Sequence, residues 1–242
     1  MKREINFITP VYNTSHQLKE LYDSLKEQTN KSWKWIILND ASIDDTLEIA
    51  KIIEKKDSRV TVHNNKKKKF AIRSICDYLY NERSDLDICK IFAIIDGNDL
   101  LCNENTVDIV LKEYSDNPAL DALWTSHTWD INSINLSKDL PANVNPYQYP
   151  WVSSHLKTFK LDVFCKISEK NFKDIDDNWF ERGCDQAIYL PILHLAKERK
   201  FLDEICYLYR LNSRSTAIEN QSQIIKKQLR TVRYIRARGF VK

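Results

Sequence analysis

Acidic residues gather at places in this 242-residue chain where they could do chemistry. Asp96-Gly97-Asn98-Asp99 follows the apolar run 91–95. One or two carboxylates beside a backbone turn can hold a Mg²⁺ or Mn²⁺ ion, which neutralises charge that develops on a phosphate-bearing ligand. Asp96, Asn98 and Asp99 are the candidate ligands, Asn98 being a neutral donor, and Gly97 lets backbone and ligand come close. Asp185 follows Gly183-Cys184 at the start of a helical pattern. An ionised carboxylate there could take the proton of an attacking hydroxyl, and a helix N-terminus keeps it ionised. Both features also have plainer readings, a polar strand-to-helix turn for 96–99 and a helix N-cap for Asp185.

A third polar turn, Asn39-Asp40-Ala41-Ser42-Ile43-Asp44-Asp45-Thr46, bears on nucleotide binding. The chain has three glycines, Gly97, Gly183 and Gly239. Neither a P-loop nor a dinucleotide fingerprint can be written with them. The same shortage argues against a sugar-phosphate nucleotidyltransferase, which needs a glycine-rich loop well before residue 97. A uridine-like base can be held otherwise, by a carboxylate accepting its imide N–H and an aromatic ring covering its face.

These turns need a scaffold. Apolar runs at 5–9, 35–38, 60–62 and 91–95 predict strands. Leu18, Leu21, Tyr22 and Leu25 predict a helix, as do Leu47, Ile49, Ala50 and Ile53, and then Val107, Val110, Leu111 and Tyr114 before Asn117-Pro118. Strands alternating with helices imply an α/β fold with a mostly parallel, Rossmann-like sheet. Ligands of such sheets bind beyond the carboxyl ends of the strands, which is where residues 9–13, 39–46 and 96–99 fall. Residues 124–179 read as irregular, one wall of a cleft, and a helical pattern from Asp185 is interrupted by Pro191, which should kink it.

Thr9-Pro10-Val11-Tyr12-Asn13, the 39–46 turn, Asp96-Gly97-Asn98-Asp99 and Cys184-Asp185-Gln186-Ala187 together resemble the ordered signatures of family 2 glycosyltransferases with the GT-A fold, from about residue 5 to about 215. The resemblance implies a nucleotide-diphosphate-sugar donor, UDP first, a divalent cation (Mn²⁺ or Mg²⁺), and transfer with inversion to a glycan, lipid-linked or protein acceptor. It puts Pro10, Tyr12, Asp40, Arg73 and Asp96 at the nucleotide, Asp96, Asn98 and Asp99 at the metal, and Asp185 as general base. His155, Lys157, Trp179, Arg210 and Arg214 fall in segments that border the donor or acceptor, with 209–215 similar to a closing loop. Three departures stand out. Asn98 replaces the second acid of the usual Asp-x-Asp, Cys184 replaces the Glu of a Glu-Asp pair, and Ala41 replaces a glycine, so that turn is expected to work without positive φ. The first two also fit a degenerate, non-catalytic nucleotide-sugar or glycan-binding relative.

The resulting organisation is a GT-A domain over 1–218, with a nucleotide-binding half at about 1–102 and an acceptor-side half at about 103–218, then a basic C-terminal helical extension over 219–242. The net charge of +3 belongs to that tail: 226–242 hold seven bases and no acid, leaving 30 bases against 34 acids before it. Its apolar stripe suits packing on the domain, or peripheral contact with an anionic membrane or an acidic partner; no nucleic-acid motif accompanies it. Lys66 to Lys69 read as a solvated run. Six cysteines without CxxC spacing read as reduced thiols. No signal peptide or membrane span is legible, which predicts a cytoplasmic protein.

Overall fold

The computed structural model describes residues 3–82, 90–131, 133–210 and 221–242. The strands are β1 (Ile5–Val11), β2 (Trp33–Asn39), β3 (Val60–Asn64), β4 (Ile91–Ile94), β5 (Leu100–Leu101), β6 (Leu120–Trp129), β7 (Lys157–Lys160) and β8 (Glu198–Tyr209). They form one sheet in the order β3-β2-β1-β4-β7-β6-β8-β5. The helices are α1 (Ser15–Lys26), α2 (Thr46–Lys56), α3 (Phe70–Glu82), α4 (Thr106–Asp116), α5 (Leu161–Cys165), α6 (Cys184–Leu195) and α7 (Gln221–Arg238).

Period-two alternation explains the two-sided core. Ile5 and Phe7 of β1, Trp35 and Ile37 of β2, and Ile91 and Ala93 of β4 share one face with Leu18, Leu21 and Leu25 of α1, Ala50 and Ile53 of α2, and Val107 and Val110 of α4. Ile8, Ile36, Leu38, Phe92 and Ile94 face the other way, onto Ile72, Ile75 and Leu79 of α3 and Ala187 and Ile188 of α6. Strands β1 to β4 pair in parallel, as expected. From β1 the chain steps outward to β2 and β3, then returns across the sheet to β4 on the other side of β1. The reversal leaves a topological switch point between β1 and β4, the usual ligand crevice of such sheets.

The segment read as irregular carries β7 and most of β6, two strands of the second half of the sheet. β7 runs antiparallel to both β4 and β6, and β8 lies parallel to β6 with register shifts at Thr125, Ser126 and His127. α3 also escaped the sequence reading; its first residue, Phe70, has φ +65°. α6 continues through Pro191 as one element.

The basic C-terminal helix is built into the domain. Ile235 is buried in the core beside α6, and Arg236 donates to Gln186 Oε1 at 2.6 Å and to the carbonyls of Tyr147 and Tyr149. Arg238 ties the carbonyls of Asn171 and Lys173. Gly183 makes this packing feasible: a Cβ there would lie 3.2 Å from Val232 Cγ2, and its φ of +77° favours glycine. No disulfide forms among the described cysteines, and no described helix is long and apolar enough to cross a membrane.

Candidate active site

The switch point brings the ends of β1 and β4 into contact through Gly97. A Cβ on Gly97 would lie 2.8 Å from Val11 Cγ1 and 3.3 Å from the Pro10 carbonyl oxygen. Any side chain there would push the 96–99 turn off the end of β1, so the glycine sets how closely the acids approach the crevice.

Within that turn the acids have separate roles. Asp99 is buried: Oδ2 accepts from the Tyr207 hydroxyl at 2.8 Å, and Oδ1 from the Arg210 backbone N–H at 2.8 Å and from Asn98 Nδ2 at 3.2 Å. It fastens the turn to the end of β8. Burial, and then the neighbouring Asp96 charge, pushes its pKa upward. The second amide contact of Asn98 is with the Arg210 carbonyl. No side chain among the described residues is seen donating to the Asp96 carboxylate; its backbone N–H donates to Tyr207 Oη at 3.1 Å. Burial and the Asp185 charge raise the pKa of Asp96, against the pull of Lys157.

Asp185 opens α6 one residue after Cys184 and leaves two-fifths of its side chain exposed, 41%. Its Oδ1 accepts from Lys157 Nζ at 2.6 Å, and that ammonium lies 3.0 Å from His155 Nδ1. Burial alone would raise the pKa of Asp185; Lys157 outweighs it, and the carboxyl falls well below the usual range. Burial, reinforced by Lys157, depresses His155 and keeps its imidazole neutral. Ligand atoms of Asp96, His155 and Asp185 all lie within 4.8 Å of one another. Carboxylates and imidazoles are donor types that divalent ions accept, but here Lys157 Nζ already lies on Asp185 Oδ1 and His155 Nδ1. The acids and imidazole that the structure gathers are thus Asp96, His155 and Asp185, while Asn98 and Asp99 of the expected set tie the turn to Arg210 and Tyr207.

Sequence reasoning missed the aromatic support of this group. His155 stacks on Tyr207 with centroids 4.5 Å apart, leans on Tyr209 at 5.4 Å, and meets His127 edge-on at 5.8 Å. His127 in turn reaches Ser137 at 3.2 Å. Alternation in Cys206-Tyr207-Leu208-Tyr209 was the available signal for a strand end here.

On the expected nucleotide side, Asp40 is bonded to the loop at 65–70. Asp40 is buried and points its carboxylate into the following loop: it accepts from the backbone N–H of Lys69 at 2.7 Å and Phe70 at 2.8 Å, and from Asn65 Nδ2 at 3.1 Å. Those bonds hold Phe70 in its left-handed conformation. Ala41 adopts φ +58°, so the turn does use positive φ without a glycine. The lysine run is not simply solvated: Lys68 Nζ sits 3.2 Å from the Tyr12 ring centroid, and Lys69 pairs with Asp77 at 2.6 Å. Tyr12 keeps 39% exposure beside Pro10 at the end of β1. Arg73 of α3 lies 5.7 Å from the Trp179 ring, and Trp179 stacks on Phe172. The Arg210 guanidinium pairs with Glu20 of α1. Arg214, with residues 211–215 of the expected closing loop, lies outside the described residues.

Comparison with known proteins places this fold. Glycosyltransferase GlyG of Streptococcus pneumoniae serotype 4 is 22% identical over 232 residues, covering 89% of this chain and 73% of its own. Chondroitin synthase of Pasteurella multocida is 23% identical over 228 residues, and the match spans 21% of that longer protein. Among solved structures, S. aureus TarS 1-349 in complex with UDP-GlcNAc superposes with a TM-score of 0.67 at 14% identity, covering 99% of this chain and 68% of TarS 1-349. The mannosyltransferase PcManGT of Pyrobaculum calidifontis, in complex with GDP-Man and Mn²⁺, gives 0.61 at 15% identity over 96% of this chain and 65% of its own. The sheet with its crevice at the β1–β4 switch is thus the GT-A fold. The model of glycosyl transferase family 2 matches residues 6–171, from the first strand through the segment that carries Asp96, His155 and Lys157, and by that match the chain belongs to family 2 of the glycosyltransferases.

Proposed function

We propose that this glycosyltransferase moves a sugar from a nucleoside-diphosphate donor, most simply a UDP-sugar, to a hydroxyl of a glycan, lipid-linked or protein acceptor, with inversion at the anomeric carbon. The observation that carries the reading is the approach of Asp96, after β4, and Asp185, at the start of α6, to within 4.8 Å. One acid then serves the diphosphate and the other the acceptor. The solved relatives complexed with UDP-GlcNAc and with GDP-Man support a nucleotide-sugar donor.

In this mechanism Lys157 fixes Asp185 Oδ1 and leaves the exposed part of the carboxylate to the acceptor. The acceptor oxygen attacks the anomeric carbon as its proton passes to Asp185, and the carbon–oxygen bond to the diphosphate breaks on the opposite side, releasing the nucleoside diphosphate. Holding the two reactants in line supplies much of the acceleration. A divalent cation at Asp96, when bound, neutralises the charge that develops on the leaving diphosphate. Tyr12 and the loop held by Asp40 frame the base, and Arg73 with Trp179 borders the same mouth.

Helix α7 supports a peripheral membrane location. Ile225 and Leu229, one turn apart, are 51% and 49% exposed, and Lys226, Arg230 and Arg233 stand exposed around them.

The test is release of UDP or GDP from a panel of sugar nucleotides, with and without Mn²⁺, by the wild type and by Asp185→Asn. The wild type should hydrolyse its donor slowly without acceptor. The variant should lose transfer by about 100-fold or more while binding the free nucleotide unchanged by calorimetry. Full turnover in Asp185→Asn removes the base assignment. Nucleotide-sugar binding without any release from the wild type favours a non-catalytic relative.

A further inference from the structure

We infer that Lys157 is a resident cation that keeps Asp185 and His155 out of the coordination sphere of a divalent ion, so that metal and base act at separate groups. This inference rests on the reading of Asp185 as the base. Lys157 stands on β7, paired with Ile94 of β4 and Trp124 of β6, and only 2% of its side chain is exposed. A buried ammonium costs several kcal/mol unless it is closely partnered, and the chain places this one between the carboxylate of Asp185 and the ring of His155.

The chemistry of the two contacts carries the argument. An ammonium has only donors, so at 3.0 Å His155 Nδ1 must be the acceptor. The neutral ring then bears its proton on Nε2. One nitrogen has its lone pair engaged by Lys157 and the other carries hydrogen, which leaves no nitrogen to ligate a metal. At Asp185 the ammonium lies 2.6 Å from Oδ1. Metal–ligand bonds of about 2.0–2.2 Å to that oxygen and to Nδ1 would bring a dication against the ammonium, where like charges repel strongly in a partly buried site. Lys157 and a divalent ion therefore exclude one another at Asp185 and His155.

Asp96 is different. It has no such contact with Lys157, and it is the acid on the β4 side. A metal confined to Asp96 leaves Asp185 as a proton acceptor. Without the ammonium, all three donors are within reach of one ion, and the base would become a ligand.

The experiment measures Mn²⁺ binding by electron paramagnetic resonance on the intact chain, as wild type, Lys157→Met and Lys157→Arg. Lys157→Met keeps the length of the side chain and removes its charge. It is expected to bind Mn²⁺ about tenfold or more tightly, with Lys157→Arg staying near the wild type. Equal Mn²⁺ affinity in the wild type and a folded Lys157→Met overturns the inference. A measurement on the wild type stands independently of whether that variant folds. Ring ¹⁵N shifts should report His155 as the Nε2–H tautomer, unchanged on adding Zn²⁺, and ligation of His155 by Zn²⁺ in the wild type overturns the inference. Neither readout depends on turnover, so failure here is distinguishable from failure of the base assignment, which appears as unimpaired transfer by Asp185→Asn.

Discussion

The hydroxyl of Tyr207 links the two acids of the 96–99 turn: it donates to Asp99 Oδ2 at 2.8 Å and accepts from the Asp96 backbone N–H at 3.1 Å. One side-chain oxygen near the end of β8 thereby fixes the turn at the end of β4. Tyr207 is fully buried, so Tyr207→Phe would leave both partners without replacement from water. Each orphaned buried group costs about 1–3 kcal/mol. The variant should melt several degrees lower and, because Asp96 loses its backbone anchor, transfer more slowly with weaker Mn²⁺ binding. Unchanged Mn²⁺ affinity in a destabilised variant would show that the bridge supports the fold alone.

Ala41 offers a prediction of the opposite sign. At φ +58° it carries a left-handed conformation that costs an L-residue about 1–2 kcal/mol. Ala41→Gly relieves that strain but frees the unfolded chain, an offset of about 0.4–1 kcal/mol. A net gain of roughly 0.5–1 kcal/mol should raise the melting temperature by about 1–4 °C for a chain of this size. A lower melting temperature would mean that the methyl group contributes packing that outweighs the strain.

The contrast between Ala41 and Phe70 marks where the sequence was legible. β1, β2 and β4 could be read because they are short apolar runs between helical stripes, and the acids that follow them could be placed at the sheet edge from topology alone. The direction of a side chain was not legible. Asp40 sits where a base-binding acid belongs, yet its carboxylate is spent on the amides of Lys69 and Phe70, some thirty residues downstream. β8 stayed hidden because Asp203 and Glu204 interrupt its alternation at the register shifts of its pairing with β6. Tyr207, which depends on β8, was hidden with it. The helix start at Asp185 was legible because such a start is a local signal. Lys157, its ion-pair partner, is 28 residues away, and only the fold brings the two together.

A pH dependence of stability follows from Asp57. Two charge-assisted bonds from Arg59, at 3.0 and 2.7 Å, with a further bond from the Tyr22 hydroxyl at 3.1 Å, hold its pKa down from 3.8 to about 2. A folded-state pKa below the unfolded value means that the unfolded chain binds the proton first as pH falls. The stabilisation is complete above pH 4–5 and drains away as pH falls towards about 2. Solvent screening limits it to about 1 kcal/mol. Urea denaturation of the wild type and Asp57→Asn should therefore differ near pH 6, and the gap should narrow below about pH 4 and close only as pH falls through about 2. A gap that stays constant over that range would assign the loss to packing instead.

The exposed stretch of α7 gives the last prediction. Its C-terminal turns are consumed by the domain through Ile235, Arg236 and Arg238. Its earlier turns present Ile225 and Leu229 with Lys226, Arg230 and Arg233, and Gln221–Arg238 contains no acid. An amphipathic basic helix of this kind binds anionic bilayers through apolar insertion and through charge, and the two parts separate experimentally. The protein should sediment with phosphatidylserine-containing vesicles and much less with phosphatidylcholine alone, and salt should release it as exposed charges are screened. Ile225→Ser with Leu229→Ser should weaken the association without moving the melting temperature by more than about 1 °C, because both side chains are half exposed. Arg236→Gln, by contrast, should lower stability, since this arginine binds the Tyr147 and Tyr149 carbonyls. Equal partition onto neutral and anionic vesicles would remove the electrostatic part of the argument. No partition onto either would leave α7 as a packing element of the domain.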